Sequence, residues 1–298
     1  MIKQNEPFIK AKIESIMFSG CYVIADVFTQ KPLEGNPVAV FTDARDIGPE
    51  SMQRIARELN LSETIFILPP RQDGDFRVRI FTPVNELSFA GHPTLGASIV
   101  LGQATQLDQI KLETAMGTIP FALIRNGMGD VISAEMCQPI PTWEKYDLEA
   151  TLLEGLGLTN STLPVEIYYN GPRHVFVGLP SISALSNIKP DLRILAKLPN
   201  MAANCFAGND TTWQMRMFSP AYGVAEDAAT GSAAGPLALH LARYGIINFN
   251  QAIEIHQGVE MGKRSVMRAK VEGNLREIKS IKVSGSAVIV AKGEFFYW

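Results

Sequence analysis

Residues 216–245 read RMFSPAYGVAEDAATGSAAGPLALHLARYG and combine a strand, a glycine turn and an apolar segment. Alternating residues predict a strand from Gln214 to Phe218 that turns at Pro220. The segment from Ala233 to Tyr244 is apolar nearly all round, which is typical of a buried helix. Gly245 supplies the expected helix stop. The rest of the chain is organised around this strand, turn and helix.

The turn before this helix consists of small residues, with an acidic residue just upstream. Asp227 precedes Gly231, and Thr230 and Ser232 are expected to cap the helix with their hydroxyl groups. A buried helix that begins in Gly, Ser and Thr directs unpaired N–H groups into a pocket. Such a pocket suits a carboxylate or a phosphate.

A similar unit occurs earlier in the chain, where residues 79–96 read RIFTPVNELSFAGHPTLG. RIFTP begins at Arg79 and RMFSP at Arg216, and both are followed by an acidic residue, a glycine turn and an apolar helix. Pro93 is expected at the first helical position, where its missing N–H costs nothing. Chance similarity would not extend past the prolines in this way, so the sequence predicts an internal duplication.

The composition limits the class of protein. The 298 residues are 46% apolar, enough for one large or two medium domains, and 27 Lys and Arg nearly balance 30 Asp and Glu. No basic run points to nucleic acid, and no apolar run reaches transmembrane length. Cys21, Cys137 and Cys205 are odd in number and far apart, so we expect reduced thiols in a cytoplasmic protein.

Several cofactor and metal chemistries lack their motifs. The segment Gly258–Lys263 is one residue short of a P-loop, and Arg264 replaces the required Ser or Thr. The four histidines are scattered without metal-ligand spacing, and Gly231-Ser232 is not a nucleophile elbow. We therefore expect no metal and no organic cofactor, and acid–base work by carboxylates and a histidine.

Helices and strands interleave without regular βαβ units, which favours an α+β fold. We expect two pseudo-symmetric domains, each a curved mixed sheet wrapped around one buried central helix. Residues 18–133 form the first domain, to which the last strand, near 284–298, returns, and residues 134–283 form the second. Residues 1–17 are expected to be a poorly ordered N-terminal extension. The two glycine turns should face each other across the cleft between the domains.

Four side chains are the candidates for the chemistry, and each has an ordinary structural alternative. Glu63 lies between a predicted helix end and a strand start, where glutamates are usually solvated or capping. His92 lies in the first glycine turn, where a lone histidine is more often a packing residue. Asp227 and Ser232 flank the second turn, where helix capping competes with function. Tyr222 is a weaker candidate, as is Glu226. The residues alone indicate a small-anion pocket surrounded by acid–base groups.

Six segments resemble one known family over almost the whole chain, from about residue 22 to 285. They are GNPVAVF (35–41), RIARELNLSETIF (54–66), RIFTPVNELSFAGHPTLG (79–96), QPIPTW (138–143), NGPRHVFVGLPS (170–181) and RMFSPAYGVAEDAATGSAAGPLALHLAR (216–243). They resemble the PhzF family of phenazine-biosynthesis isomerases, within the diaminopimelate epimerase-like superfamily. Residues 1–17 lie outside the match.

The resemblance implies a homodimer without cofactors that isomerises trans-2,3-dihydro-3-hydroxyanthranilate, transposing a C=C bond. By position, Glu63 matches the family's catalytic acid/base, and the substrate-binding residues are His92, Asp227 and Ser232 together with Gly91 and Gly231. One carboxyl group can take a proton from one ring carbon and return it to another on the same face. That double role favours a pKa raised by burial.

Three alternatives stay open from the sequence. A related isomerase could act on another small amino or hydroxy acid, because the paired glycine turns do not fix the substrate. An epimerase or racemase is disfavoured, because the epimerase branch uses two thiols and no cysteine lies at either turn. A non-catalytic binding protein for aromatic acids would keep the pocket without the proton transfer.

Overall fold

The computed structural model describes residues 18–297, so the predicted extension at residues 1–17 lies outside the described part. The strands are β1 (Phe18–Val27), β2 (Asn36–Phe41), β3 (Glu63–Leu68), β4 (Phe76–Phe81), β5 (Glu86–Leu87), β6 (Gln109–Thr114), β7 (Gly117–Arg125), β8 (Val131–Gln138), β9 (Thr142–Lys145), β10 (Glu166–Tyr169), β11 (Arg173–Gly178), β12 (Ala202–Asn209), β13 (Thr212–Ser219), β14 (Val224–Asp227), β15 (Ala252–Gln257), β16 (Ser265–Gly273), β17 (Ile278–Gly285) and β18 (Ala287–Tyr297). The helices are α1 (Pro49–Leu59), α2 (Gly91–Ala104), α3 (Glu149–Leu156), α4 (Ile182–Ser186), α5 (Leu192–Leu195) and α6 (Gly231–Arg243), with a 3₁₀ turn at Pro220–Tyr222. None of the helices within residues 18–297 combines the length and apolar character needed to cross a bilayer.

The first half of the chain forms a mixed sheet in the order β1-β2-β3-β4-β6-β7-β8. Strands β2 and β3 are parallel, as are β4 and β6, and the other neighbours are antiparallel. The short β5 pairs with β4, and β18 runs antiparallel to β1. The parallel pairs require crossovers, and α1 provides the one between β2 and β3 while α2 lies in the one between β4 and β6.

The second half repeats this order as β10-β11-β12-β13-β15-β16-β17. Strands β11 and β12 are parallel, as are β13 and β15, and the other neighbours are antiparallel. Strand β14 pairs with β13 as β5 does with β4, and β9 pairs with β10 as β18 does with β1. Every pairing thus has a counterpart, which confirms the predicted duplication. The antiparallel pair β8 and β17 joins the two halves.

One buried helix fills each half. In α2 the residues from Gly91 to Gly102 are buried, and in α6 those from Gly231 to Ala242 are buried. Helix α2 packs on β1, β2, β3, β6, β7 and β8, and α6 packs on β11, β16 and β17. These sequences can lie inside a sheet because they have no polar face that needs water. The α+β class with two pseudo-symmetric halves around central helices is therefore confirmed.

The ends of the two central helices differ in part from the expectation. Helix α2 begins at Gly91, so Pro93 is its third residue and not its first. Proline fits there because the N–H groups of the first helical turn have no partner within the helix. Helix α6 ends at Arg243, and Gly245 follows with φ of 69° while its N–H donates to the Ala242 carbonyl. Gly245 therefore acts as the predicted stop.

The predicted domain boundary lies within a strand that connects the two halves of the sheet. The predicted boundary between residues 133 and 134 falls inside β8, which pairs with β7 on one side and β17 on the other. We propose residues 18–133 and 134–283 as the two domains, with β18 adding to the first.

Candidate active site

A cavity of about 320 Å³ lies between the two halves, where the N-terminus of α2 meets that of α6. Strand starts from both halves line its walls. The structure brings all six sequence-predicted site residues to this cavity: Glu63, Gly91, His92, Asp227, Gly231 and Ser232.

The two glycine turns touch each other directly. A Cβ atom at Gly91 would lie 2.3 Å from the Ser232 nitrogen and 2.5 Å from the Gly231 carbonyl carbon. A Cβ atom at Gly231 would lie 2.8 Å from the Phe28 ring and 3.1 Å from the backbone nitrogen of His92. Only glycine permits this approach of one backbone to the other. The prediction that the two turns face each other is therefore confirmed.

Neither central helix has a side-chain cap at its N-terminus. The expectation that Thr230 and Ser232 would cap α6 is wrong, because both hydroxyls have other partners. Thr230 Oγ1 donates to Asp227 Oδ2 at 2.7 Å, and Ser232 Oγ lies 3.1 Å from His174 Nε2. The N-termini of two helices, with their partial positive charge, therefore lie at one cavity without a side-chain cap.

Glu63 is the first residue of β3 and follows α1 closely, so its backbone is fixed on both sides. Its side chain is 14% exposed, and Oε2 lies 3.2 Å from His92 Nδ1. Burial raises the pKa of the Glu63 carboxyl well above its usual value, and the nearby Asp227 carboxylate raises this pKa further. Glu63 is thus a carboxyl group that holds a proton more readily than an exposed glutamate.

His92 does not supply a counter-charge to Glu63. Its side chain is 3% exposed, and burial lowers the pKa of the imidazole to about 3. The ring is therefore neutral at ordinary pH and contributes one donor and one acceptor nitrogen. A neutral neighbour leaves the raised pKa of Glu63 in place, because no cation stabilises the carboxylate form.

Asp227 is buried and receives three hydrogen bonds on its carboxylate. Asn36 Nδ2 donates to Oδ1 at 2.7 Å, Ser62 Oγ donates to Oδ1 at 3.0 Å, and Thr230 Oγ1 donates to Oδ2. Burial raises the pKa of the Asp227 carboxyl, but these three donors oppose that rise. In the pair formed with Glu63, the negative charge therefore rests on Asp227 and the proton goes first to Glu63.

Two glutamines hold the second turn in place, and the sequence analysis missed both. Gln257 Nε2 donates to the Asp227 carbonyl at 2.8 Å, and its Oε1 accepts from the Thr230 N–H at 2.9 Å. Gln138 Nε2 donates to the Gly231 carbonyl at 2.7 Å. Each glutamine ends a strand far from the turn in sequence, so no local pattern pointed to it.

A second histidine lies beside Ser232 and was also missed. His174 is the first residue of β11 that pairs with the parallel strand β12. The Nδ2 atom of Asn204 lies 3.4 Å from Nδ1 of His174. Asn170 Nδ2 donates to the Ser232 carbonyl at 2.9 Å. The signal in the sequence was the segment NGPRH at residues 170–174, which begins one of the six segments that resemble the known family.

The two weaker candidates have different positions. Tyr222 lines the cavity, whereas Glu226 is held at 2.8 and 2.9 Å by the Arg216 guanidinium and is not among the lining residues. Glu226 is therefore part of an ion pair that anchors β13 to β14. Within residues 18–297 there is no group of three or more His, Cys, Asp or Glu side chains that could hold a metal ion.

The sequence of the chain matches one protein family over most of its length. The model of the phenazine biosynthesis-like protein family, PhzC-PhzF, matches residues 25–293. The chain is 60% identical over 272 residues to a trans-2,3-dihydro-3-hydroxyanthranilate isomerase of Pseudomonas fluorescens, covering 91% of this chain and 98% of that protein. It is 58% identical over 275 residues to the protein of the same name from Pseudomonas aeruginosa, covering 92% and 99%.

The fold has the same relatives. The crystal structure of the Bacillus anthracis phenazine biosynthesis protein of the PhzF family superposes with a TM-score of 0.81 at 25% identity, covering 94% of this chain and 99% of that one. The match of the family model and the identity to these relatives extend over both glycine turns and the cavity between them. The chain therefore belongs to the PhzC-PhzF family of phenazine biosynthesis-like proteins.

Proposed function

We propose that the protein is a trans-2,3-dihydro-3-hydroxyanthranilate isomerase that works without a cofactor and uses Glu63 as its acid/base. The activity is supported by the relatives of that name, which match this chain at 58–60% identity over nearly their whole length. The role of Glu63 is supported by one observation above the others. It is a buried carboxyl with a raised pKa on the wall of the cavity where the two helices meet.

The reaction moves a proton and a double bond within one molecule. The Glu63 carboxylate removes a proton from one ring carbon, and the electron pair of that C–H bond shifts into the ring π system. The carboxylic acid so formed then donates the same proton to another ring carbon, which completes the isomerisation with no atom gained or lost. A raised pKa suits a group that must act first as base and then as acid.

His92 and Asp227 would hold the polar groups of the ring. The neutral His92 ring, 3.2 Å from Glu63, can hydrogen-bond the substrate without adding charge. Asp227 carries its charge beside Glu63 and can accept from the substrate's amino or hydroxyl group. Holding the ring at two points would place its carbons against the Glu63 carboxyl, which is the main benefit of orientation.

The ring carboxylate would bind at the paired helix N-termini. Gly91, Gly231 and Ser232 begin the two uncapped helices and line the cavity, so their N–H groups are available to a bound anion. Such groups attract an anion through hydrogen bonds and through the partial positive charge of the helix ends. They would also stabilise negative charge that develops on the carboxylate side of the ring during proton transfer.

A second candidate function, epimerisation or racemisation, needs acid–base groups on both sides of the substrate. The position in the second half that corresponds to Glu63 is Ala202, which also lines the cavity. No thiol is available either, because Gly91-His92 and Gly231-Ser232 occupy the helix starts. The geometry therefore favours transfer by a single group.

The test of the proposed function is isomerisation of dihydrohydroxyanthranilate in D₂O. We expect consumption of the substrate with partial deuterium at one ring carbon of the product, because the proton held on Glu63 exchanges in part with the solvent before it is returned. Binding of the substrate without consumption or label would instead identify a non-catalytic binding protein. Turnover of other small hydroxy acids, but not of this compound, would reassign the substrate.

We further propose that the active form is a cytoplasmic homodimer. The family resemblance implies the dimer, and the three free cysteines, of which Cys205 is buried, suit a reducing compartment. Light scattering at micromolar concentration tests this, with twice the chain mass of 32.7 kDa expected. A monomer that retains full activity would contradict it.

A further inference from the structure

Two neighbouring strand positions are apolar in the first half and polar in the second half. In the first half these positions hold Val38 and Ile65, both buried and apolar. In the second half they hold His174 and Asn204, which are 1% and 0% exposed. Burial of polar side chains is costly unless they are hydrogen-bonded. We therefore expect His174 and Asn204 to have hydrogen-bond partners that offset this cost.

The amide of Asn204 is oriented by its own neighbours. Its Nδ2 lies 2.9 Å from the Ala202 carbonyl oxygen, so the amino group must face that oxygen, since the amide oxygen would be repelled there. The second hydrogen of Nδ2 faces His174 Nδ1 at 3.4 Å. Nδ1 is therefore the acceptor nitrogen of His174, and the ring proton lies on Nε2.

This tautomer decides the role of Ser232. His174 Nε2–H donates to Ser232 Oγ at 3.1 Å, and burial keeps the imidazole neutral by lowering its pKa to about 3. Because Ser232 Oγ accepts this bond, its own proton remains available to donate. Ser232 lines the cavity next to the uncapped start of α6, so its hydroxyl group and the helix N-terminus border the same space.

We propose that His174, oriented by Asn204, is a positioning residue that makes Ser232 a hydrogen-bond donor and so selects a substrate carboxylate at this end of the cavity. This inference rests on the proposed function, in which the ring carboxylate binds there. A carboxylate offers acceptors to both the hydroxyl and the helix N–H groups. A carboxamide offers one acceptor oxygen, and its N–H₂ group would face donors.

The test measures binding and does not depend on turnover. The probe is 3-hydroxyanthranilate, a stable aromatic carboxylate, compared with 3-hydroxyanthranilamide in calorimetric titrations. We expect Ser232→Ala and His174→Leu each to weaken carboxylate binding by about 10- to 100-fold, the usual loss for a hydrogen bond to a charged group. The preference for carboxylate over amide should shrink in both variants by a similar factor.

The double variant decides whether His174 acts through Ser232. We expect Ser232→Ala with His174→Leu to bind within about two-fold of Ser232→Ala alone, because the two losses share one hydrogen bond. Losses that multiply, or a His174→Leu variant that binds like the wild type, would overturn the proposal. His256→Gln is the matched control, since His256 lies on the opposite strand face from Gln257 and pairs with Glu254.

A conservative variant separates positioning from folding. His174→Gln keeps an N–H donor in reach of Ser232, so we expect carboxylate binding within about three-fold of the wild type even if His174→Leu fails to fold. A loss in His174→Gln as large as in Ser232→Ala would overturn the proposal. If the wild type binds 3-hydroxyanthranilate but does not isomerise the substrate, the proposed function fails, and the binding losses in Ser232→Ala and His174→Leu decide the inference separately. If the wild type does not bind the probe, the inference itself fails.

Discussion

Glu63 and Ala202 occupy equivalent positions, each at the start of the third strand of its half. Glu63 pairs with Val38 in the parallel register of β2 and β3, and Ala202 pairs with His174 in that of β11 and β12. Both residues line the cavity, but only one carries a titratable group. A duplicated fold thus presents a carboxyl group from one side and a methyl group from the other, which agrees with the proposed proton transfer on a single ring face.

Replacement of Glu63 by glutamine should abolish turnover and leave binding nearly intact. The amide keeps the shape and polarity of the side chain but cannot accept and return a proton, so we expect kcat to fall by about 10²–10⁴ or more. Calorimetry with a substrate analogue should show nearly unchanged affinity. Glu58→Gln, on the exposed face of α1, is the matched control and should keep full activity.

The same substitution should also change how stability depends on pH. The pKa of Glu63 is raised in the folded protein above its ordinary value of 4.5, chiefly by burial and further by Asp227. The free energy of unfolding of the wild type therefore falls as the pH rises from about 4.5 through the pKa that Glu63 has in the folded protein. Glu63→Gln does not titrate, so it should match the wild type near pH 4 and exceed it at pH 8. Denaturant unfolding at both pH values measures this, and an equal difference at both would refute the raised pKa.

Removal of the charge on Asp227 should shift the pH dependence of catalysis. Asp227 raises the pKa of Glu63, so Asp227→Asn should lower that pKa and move the acidic limb of kcat/KM to lower pH. Asp227→Ala should weaken substrate binding as well as the rate, because it also removes the acceptor for Asn36, Ser62 and Thr230. Unchanged KM and kcat in Asp227→Ala would exclude Asp227 from the site.

A methyl group at Gly91 should separate the two helix starts. In Gly91→Ala the Cβ would meet backbone atoms of Gly231 and Ser232 within 2.5 Å, and backbone cannot rotate away as a side chain does. We expect a loss of carboxylate binding of at least 10-fold and a destabilisation of about 1–3 kcal/mol. Gly127→Ala is the control, because a Cβ there has no neighbour within 4 Å. Equal behaviour of the two variants would mean that the contact of the helix starts is unimportant.

Those parts of the fold that depend on local pattern could be predicted from the sequence. Apolar segments without a polar face predicted α2 and α6, and the similarity of RIFTP to RMFSP predicted the duplication. The strand Val224–Asp227 was missed because it is only four residues long and pairs with β13 around a 3₁₀ turn. Short elements of this kind are fixed by tertiary pairing and have little pattern of their own.

The site was predictable only where its residues lie in the two glycine turns or beside a recognisable junction. Glu63, His92 and Asp227 belong to such places, and the structure brings them to one cavity. The hydrogen bonds of Gln257 and His174 to the second turn join residues 27 and 58 positions apart, so no sequence spacing indicates them. The caps assigned to Thr230 and Ser232 were wrong because the Thr230 hydroxyl donates to Asp227, three residues upstream, and the Ser232 hydroxyl lies beside His174.

The most direct test of the account follows the fate of the hydrogen that Glu63 is proposed to move. Dihydrohydroxyanthranilate deuterated at the carbon that loses its proton is converted in H₂O in a single turnover, and the product is examined by NMR. The account predicts that part of the deuterium appears at the carbon that gains a proton, on the same ring face, and that Glu63→Gln forms no product. Delivery to the opposite face, or conversion by Glu63→Gln near the wild-type rate, would contradict it.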